Sequence, residues 1–125
     1  MSDPFALVIE DHVDSAVIFT EALKKAGFRT ETIRSGDAAL ARLAVTTPAV
    51  IVLDLSLPGV AGPDILQQIR ADARLVNTRV IVATAHPQMI DSIRDKADLV
   101  LLKPISFSQL RDLAARLGFA EPSQD

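Results

Sequence analysis

The sequence contains no cysteine, tryptophan or tyrosine, and five phenylalanines make up its whole aromatic fraction of 4%. Without cysteine, disulfides, thiolate chemistry and cysteine-ligated metal sites are all excluded, and the chain fits a reducing compartment. Apolar residues still reach 49%, and most of them are Val, Ile, Leu and Ala. The core must therefore be aliphatic.

The chain also has little net charge and lacks long apolar runs. The formal net charge is −3, so the basic surface typical of nucleic-acid binding is not expected. We recognise no signal segment and therefore expect none, and no apolar stretch approaches the roughly 18 residues of a membrane span. We expect a soluble, cytoplasmic protein that binds neither nucleic acid nor membrane. Its 125 residues suit one domain, with a core over about 5–118 and a tail at 119–125.

Five short segments read as β-strands. Four aliphatic runs, at 5–10, 49–54, 79–84 and 98–103, lack alternation, which is typical of strands buried on both faces of a parallel sheet. The fifth run, 28–33, alternates with polar residues and is expected at a sheet edge. These five runs are the predicted strands.

Helical patterns follow each strand. They cover 14–26, 35–43, 63–71, 87–96 and 106–117, of which 87–96 is short and weakly amphipathic. In the first of them, Val17, Ile18, Ala22 and Leu23 are expected to pack on the sheet. Strands and helices that alternate in this way predict a single doubly wound α/β sandwich.

Chemically useful side chains end the four strong strands. In chain order they are Glu10, Asp11, Asp54, Thr84 and Lys103. Ligands of such sheets bind outside the carboxyl ends of the strands, so these residues are expected to meet there. No comparable cluster is expected at the opposite strand ends, which carry Phe5, Ala49, Arg79 and Asp98.

Each of these residues also has an ordinary structural interpretation. Asp11 or Asp54 could cap a helix, Thr84 is at home at a strand end, and Lys103 could simply be solvated. Carboxylates that converge at ~4 Å would repel by roughly 4 kcal/mol per pair at an effective dielectric near ~20. A cluster therefore needs a cation, a proton or more separation.

A divalent ion fits this ligand set. Hard oxygen ligands without His or Cys favour Mg²⁺, with Mn²⁺ as a possible replacement. With Lys103 beside the metal, one carboxylate could accept a phosphoryl group and become an aspartyl phosphate.

Four strings, IEDH, LDLSLPGVAG, VIVATA and LLKP, stand at strand ends in this order. Together they resemble the receiver domain of two-component response regulators, over about residues 6–117. The resemblance implies a flavodoxin-like fold with five helices and a five-stranded parallel sheet in the order 2-1-3-4-5.

The resemblance also implies roles for individual residues. Asp54 would be the phosphoacceptor, and Lys103 and Thr84 would contact the phosphoryl group. The ligands of Mg²⁺ would be Glu10, Asp11, Asp54 and the backbone carbonyl of Ser56. The bond before Pro104 would be cis, and the loop beside the site would be shaped by Pro58, Gly59 and Gly62.

Three features depart from the family pattern. Val100 stands where the family often has an aromatic switch residue, and Lys96 stands where glycine is common. The segment from Thr84 to Lys103 is shorter than usual by roughly one helical turn. We therefore expect a truncated or irregular fourth helix and an unusual readout.

The two histidines, His12 and His86, follow the acidic pair and Thr84. Either could place or block the water that hydrolyses an aspartyl phosphate. The alternative is that both are partly exposed loop residues.

The function expected from the resemblance is that of a stand-alone receiver, not a turnover enzyme beyond its own phosphorylation and dephosphorylation. Its partners would be a sensor histidine kinase or phosphotransfer protein and an unknown output protein, and it would be a monomer or weak homodimer. One alternative is a degenerate receiver that docks constitutively. An aspartyl-phosphate hydrolase is less favoured, because Asp54 lies on the third strand and Ser56 takes the place of that class's second Asp.

Overall fold

The computed structural model describes residues 3–118, in which five strands alternate with five helices. The strands are β1 Phe5–Ile9, β2 Arg29–Ile33, β3 Val50–Asp54, β4 Arg79–Thr84 and β5 Leu99–Leu102. The helices are α1 Val13–Lys25, α2 Gly36–Leu43, α3 Gly62–Ala71, α4 Ile90–Ile93 and α5 Phe107–Gly118. The predicted alternation is confirmed.

All strand pairs are parallel, and the sheet order is β2-β1-β3-β4-β5. The predicted order is therefore confirmed, as is the edge position of the weakest strand. β2 tolerates that edge because Arg29 and Thr32 are exposed, while Glu31 is held by two hydrogen bonds from Arg42 on α2.

Each face of the sheet carries its own aliphatic core. On one face, α1 and α5 cover side chains such as Val8, Val52 and Ile81. On the other, α2 and α3 cover Leu7, Ile51 and other alternate residues of the same strands. β1 from Ala6 onward, and β3 along its whole length, are buried on both sides, as the unbroken aliphatic runs predict.

The face that α1 buries differs from the prediction. Ala22 and Leu23 are buried as expected, but Val17 and Ile18 are 56% and 40% exposed. Ala16 and Phe19 take their places in the core. Positions 16, 19 and 23 lie three and four residues apart on one helical stripe, and this stripe seats the large Phe19 ring against the sheet.

The prediction that the fourth aliphatic run is buried on both faces was wrong. In β5, Leu99, Val100 and Leu101 are only half-buried and Leu102 is 49% exposed. β5 is the second edge of the sheet. The helix beside it, α4, has only four residues and covers little of its surface.

The irregular fourth helix was predicted correctly. A 3₁₀ turn over Pro87–Met89 leads into α4, and a second over Arg94–Lys96 follows it. The end of this segment is held by Arg70 of α3, which donates to the carbonyl oxygen of Lys96 at 2.7 Å and to that of Thr78 at 3.1 Å.

The amino ends of the strands do form a polar cluster, contrary to the prediction. The Asp98 carboxylate accepts hydrogen bonds from Arg70 (2.9 Å), Arg79 (3.3 Å) and the backbone N–H of Val80 (2.7 Å). Arg70 lies on α3, far from Asp98 in sequence, so no local pattern indicated the contact.

Within residues 3–118, no helix is both long enough and apolar enough to cross a membrane.

Candidate functional site

Glu10, Asp11 and Asp54 meet at the carboxyl edge of the sheet because β1 and β3 are neighbours in register. Ile9, the last residue of β1, pairs with Leu53 of β3. The residue that comes next after each of them is acidic: Glu10 follows Ile9, and Asp54 follows Leu53. The backbone N–H of Glu10 is fixed by the carbonyl of Ile33 on β2 at 2.9 Å. One oxygen from each of the three carboxylates lies within 4.8 Å of the others.

Burial differs sharply within this acidic cluster. Glu10 is 1% exposed and Asp54 is 5% exposed, whereas Asp11 is open to solvent. Neither aspartate caps a helix, since the N-cap residue of α1 is His12 and that of α3 is Ala61. The capping interpretation is therefore excluded for both.

Lys103 brings the only cationic side chain that forms an ion pair with this cluster in the described part of the chain. Its ammonium Nζ lies 2.7 Å from Glu10 Oε1 and 3.6 Å from Asp54 Oδ2. The backbone N–H of Lys103 donates to the carbonyl of Thr84 at 2.8 Å, which aligns the residue at the end of β5. The following Lys103–Pro104 peptide bond is cis.

The ring of Phe19 lies 6.0 Å from the Lys103 ammonium. Sequence reasoning did not assign Phe19 to the site, because it counted only polar residues at strand ends. The ring provides an apolar wall and a weak cation–π contact for the ammonium, so the helix after β1 also contributes to the site.

The charges of the site are unbalanced. Burial, the largest influence, raises the pKa of the Glu10 carboxyl; the hydrogen bond from Lys103 opposes this rise and the charge of Asp54 adds to it. One lysine cannot neutralise three carboxylates. The site therefore has a net attraction for a further cation.

Asp54 is oriented by the loop that follows it. Its Oδ1 accepts a hydrogen bond from the backbone N–H of Ser56 at 3.1 Å, which leaves Oδ2 on the side of Lys103. An open cavity of about 300 Å³ lies above the carboxylates, and Ser15, Ser56, Ala85 and both histidines contribute to its lining. His12 and His86 are exposed at its rim.

Thr84 is at the end of β4 as predicted, but its side chain is fully buried and does not line the cavity. Its hydroxyl Oγ1 accepts a hydrogen bond from the backbone N–H of His86 at 3.0 Å. Thr84 is therefore tied to the start of the irregular segment that contains α4.

Val100 is half-buried and packs on the face of the sheet that α2, α3 and α4 cover. Leu99 and Leu101 point to the opposite face. Val100 is thus on the same side of β5 as α4, and Lys96 closes the turn that follows α4.

The residues present suit a divalent cation. All the converging ligands are carboxylate oxygens, and two of the three carboxylates are almost fully buried. Hard oxygen ligands with open space on one side are the arrangement that Mg²⁺ prefers, because it retains several waters.

Comparison with known proteins agrees with this geometry. The family model of the response regulator receiver domain matches residues 6–115. The chain is 36% identical over 121 residues to a probable methanogenesis regulatory protein, FilR2, of Methanothrix harundinacea, covering 87% of this chain and 78% of that protein. It is 34% identical over 114 residues to the sensory transduction protein RegX3 of Mycobacterium tuberculosis, covering 89% of this chain and 48% of RegX3. The chain thus spans about half the length of RegX3.

Solved structures show the same likeness. A CheY-like receiver domain from Methylobacillus flagellatus superimposes with a TM-score of 0.83 at 25% identity, covering 93% of this chain and 99% of that one. The receiver domain of the Francisella response regulator 1452 gives a TM-score of 0.82 at 26% identity, covering 94% and 98%. The family match, the strand order and the acid–lysine cluster agree, and the chain belongs to the receiver-domain family of two-component response regulators.

Proposed function

We propose that this receiver is a phosphorylation-controlled binding switch in which Asp54 takes a phosphoryl group from a sensor histidine kinase or a phosphotransfer protein. The observation that carries the proposal is the position of Asp54. It is a nearly buried carboxylate with one oxygen held by Ser56, the other near Lys103, and an open cavity above it.

In the proposed reaction, an oxygen of Asp54 attacks the phosphorus of a phosphohistidine. A phosphorus–oxygen bond forms, the phosphorus–nitrogen bond breaks, and its electron pair remains on the histidine nitrogen of the donor. Lys103 exchanges its contact with Glu10 for the incoming phosphoryl oxygens. The Lys103 ammonium needs to move only a short distance, because it already lies 3.6 Å from Asp54 Oδ2.

Glu10, Asp11, Asp54 and the backbone carbonyl of Ser56 would hold Mg²⁺, and Mn²⁺ could replace it. The ion supplies positive charge against the phosphoryl oxygens. The chain's own residues orient the acceptor carboxylate and exclude water from most of it.

The readout proposed for this chain runs through Thr84. The Thr84 hydroxyl now accepts a hydrogen bond from the backbone N–H of His86. This hydrogen bond must break before the hydroxyl can reach a phosphoryl oxygen. Because His86 directly precedes the turn at Pro87–Met89, the irregular segment around α4 would shift without any aromatic swing at Val100. The segment from His86 to Lys96 is thus the proposed output surface.

Incubation with acetyl phosphate and Mg²⁺ tests the chemistry. Intact-mass spectrometry should find one phosphate per chain in the wild type and none in Asp54→Asn. Asp64→Asn, which changes an exposed carboxylate on α3, is the matched control and should be phosphorylated like the wild type. A wild type that stays unmodified, even with a cognate kinase, would refute the proposal.

A constitutive docking module is the second candidate. It is favoured by the full burial of the Thr84 hydroxyl and by the valine at position 100. Beryllofluoride, which mimics the phosphoryl group on aspartate, separates the two candidates. Equal partner affinity with and without it means that no switching occurs, since a ligand shifts an equilibrium only by binding its states differently.

A further inference from the structure

The loop 55–61, which joins β3 to α3, has few hydrogen bonds of its own. The N–H of Leu55 donates to the carbonyl of Ala83 at 3.4 Å, and the N–H of Gly62 donates back to the carbonyl of Leu55 at 3.3 Å. Both are long contacts. Leu55 is buried in the core and Leu57 and Val60 pack against it, but these apolar contacts do not fix the backbone of the loop as a hydrogen bond does.

The amino end of α2 lies directly against this loop. The backbone N–H of Gly36 donates to the carbonyl of Pro58 at 3.0 Å. A Cβ atom on Gly36 would lie 2.0 Å from the carbonyl oxygen of Val60 and 2.8 Å from its carbonyl carbon and its nitrogen. Gly36 is needed for space, since its φ lies outside the left-handed region.

The contact between α2 and the loop is also close at a glycine of the loop. Gly59 has a φ of 80°, and a Cβ there would lie 2.5 Å from the Asp37 carboxylate on α2. At the other end of the loop, a Cβ on Gly62 would lie 2.4 Å from Leu55 Cα and 2.8 Å from the carbonyl oxygen of Asp54. Gly36 and Gly62 thus let α2, the loop and the end of β3 touch backbone to backbone, whereas the close neighbour of Gly59 is a side chain.

We propose that Gly36 is a positioning residue for the metal and phosphoacceptor site: the amino end of α2 sets the distance between the Ser56 backbone and Asp54. This inference rests on the proposed Mg²⁺ site and deepens it. Any side chain at position 36 must push the loop outward by on the order of 1 Å to restore an ordinary contact, and errors of this size are costly in reaction sites. Mg²⁺ is sensitive to such a shift, because it demands near-ideal octahedral distances.

The direct test compares Gly36→Ala with Ser35→Ala in Mg²⁺ titrations by calorimetry. Ser35 is the N-cap of α2, and its hydroxyl accepts from the N–H of Ala38 at 3.2 Å. Ser35→Ala should weaken α2 but leave the loop in place, so its Mg²⁺ affinity should equal that of the wild type. Gly36→Ala should lower Mg²⁺ affinity by about tenfold or more.

Equal Mg²⁺ affinity for Gly36→Ala and the wild type would overturn the inference, as would equal losses in the two variants. A wild type that binds no Mg²⁺ would instead overturn the proposed function, so the two failures are distinguishable.

Hydrogen exchange of the wild type gives a second test that does not depend on whether Gly36→Ala folds. The Gly36 amide is hydrogen-bonded to the loop, whereas the Ala39 amide is hydrogen-bonded to Ser35 at the start of α2. If Gly36 helps to position the Mg²⁺ site, Mg²⁺ binding must in turn stabilise the contact of Gly36 with the loop, because coupling between sites is reciprocal. Mg²⁺ should therefore slow hydrogen exchange of the Gly36 amide several-fold more than that of the Ala39 amide. Equal protection of the two amides would contradict a role for Gly36 in positioning the site.

Discussion

At the carboxyl ends of the strands, three carboxylates converge and one lysine, Lys103, pairs with two of them, Glu10 and Asp54. At the amino ends, one carboxylate, Asp98, is shared by two arginines and a backbone N–H. Arg70 also donates to two backbone carbonyls. The amino end is a completed network that holds the fold together. The carboxyl end has an excess of negative charge, and burial, with a smaller contribution from the charge of Asp54, raises the pKa of Glu10 there.

The difference concerns where a cation is attracted. At the amino ends, the Asp98 carboxylate already accepts from two arginines and a backbone N–H, so a further cation gains little there. At the carboxyl ends, a cation that offset the excess negative charge would stabilise the fold, so the stability of this receiver should rise when a divalent ion is added. The shared aspartate and the proposed reaction site thus lie at opposite ends of the same strands.

The largest expected effect comes from Arg70→Met. This variant removes three hydrogen bonds that tie α3 to Thr78, just before β4, and to Lys96 and Asp98, before β5. It leaves Asp98 with one arginine. We expect a loss of about 3 kcal/mol in the free energy of unfolding, measured by urea denaturation. Arg94→Met, an exposed change in the same irregular segment, should stay within about 0.5 kcal/mol of the wild type. Similar losses in the two variants would contradict the assigned role of Arg70.

Asp98→Asn should have the next largest effect. It keeps the shape of the side chain but removes the charge that both arginines face and replaces one acceptor oxygen with a donor. The expected loss is about 2 kcal/mol. A neutral result in denaturation would show that the amino-end network does not support the fold.

Asp54→Asn, the same substitution at the other end, should have the opposite sign. In the absence of divalent ions it removes one of three repelling carboxylates, and we expect a gain of roughly 1 kcal/mol. Added Mg²⁺ should stabilise the wild type but stabilise Asp54→Asn much less. If both aspartate variants lose stability equally, the contrast between the two ends is wrong.

The smallest effect concerns pH at the β2 edge. The hydrogen bond and charge of Arg42 hold the pKa of Glu31 below its ordinary value, so this contribution to stability is present above the unfolded-state pKa and is lost as the pH falls through the folded-state pKa. Glu31→Gln should be slightly less stable than the wild type at neutral pH, and the two should converge in acid. High salt should also reduce the difference, because the pair is a third exposed. A difference that grew on acidification would have the wrong sign.

Much of the fold followed from local pattern. Unbroken aliphatic runs identified β1, β3 and β4, because both faces of these strands are buried. The alternating run 28–33 identified an edge strand, and the short segment after Thr84 indicated an irregular fourth helix. The run 98–103 was misread, since an aliphatic pattern cannot show that its covering helix is only four residues long.

What the sequence determined by itself is the set of side chains that end each strand, since in a parallel sheet these ends share one edge. It therefore brought Glu10, Asp11, Asp54 and Lys103 to one place. Only the tertiary structure decided how they are used: Lys103 pairs more closely with Glu10 than with Asp54, and Phe19 lies near its ammonium. Two further contacts also join elements that are far apart in the chain: Gly36 packs against the loop, and Asp98 binds two arginines. Contacts of this kind depend on how helices settle on the sheet, and no periodicity in the sequence encodes them.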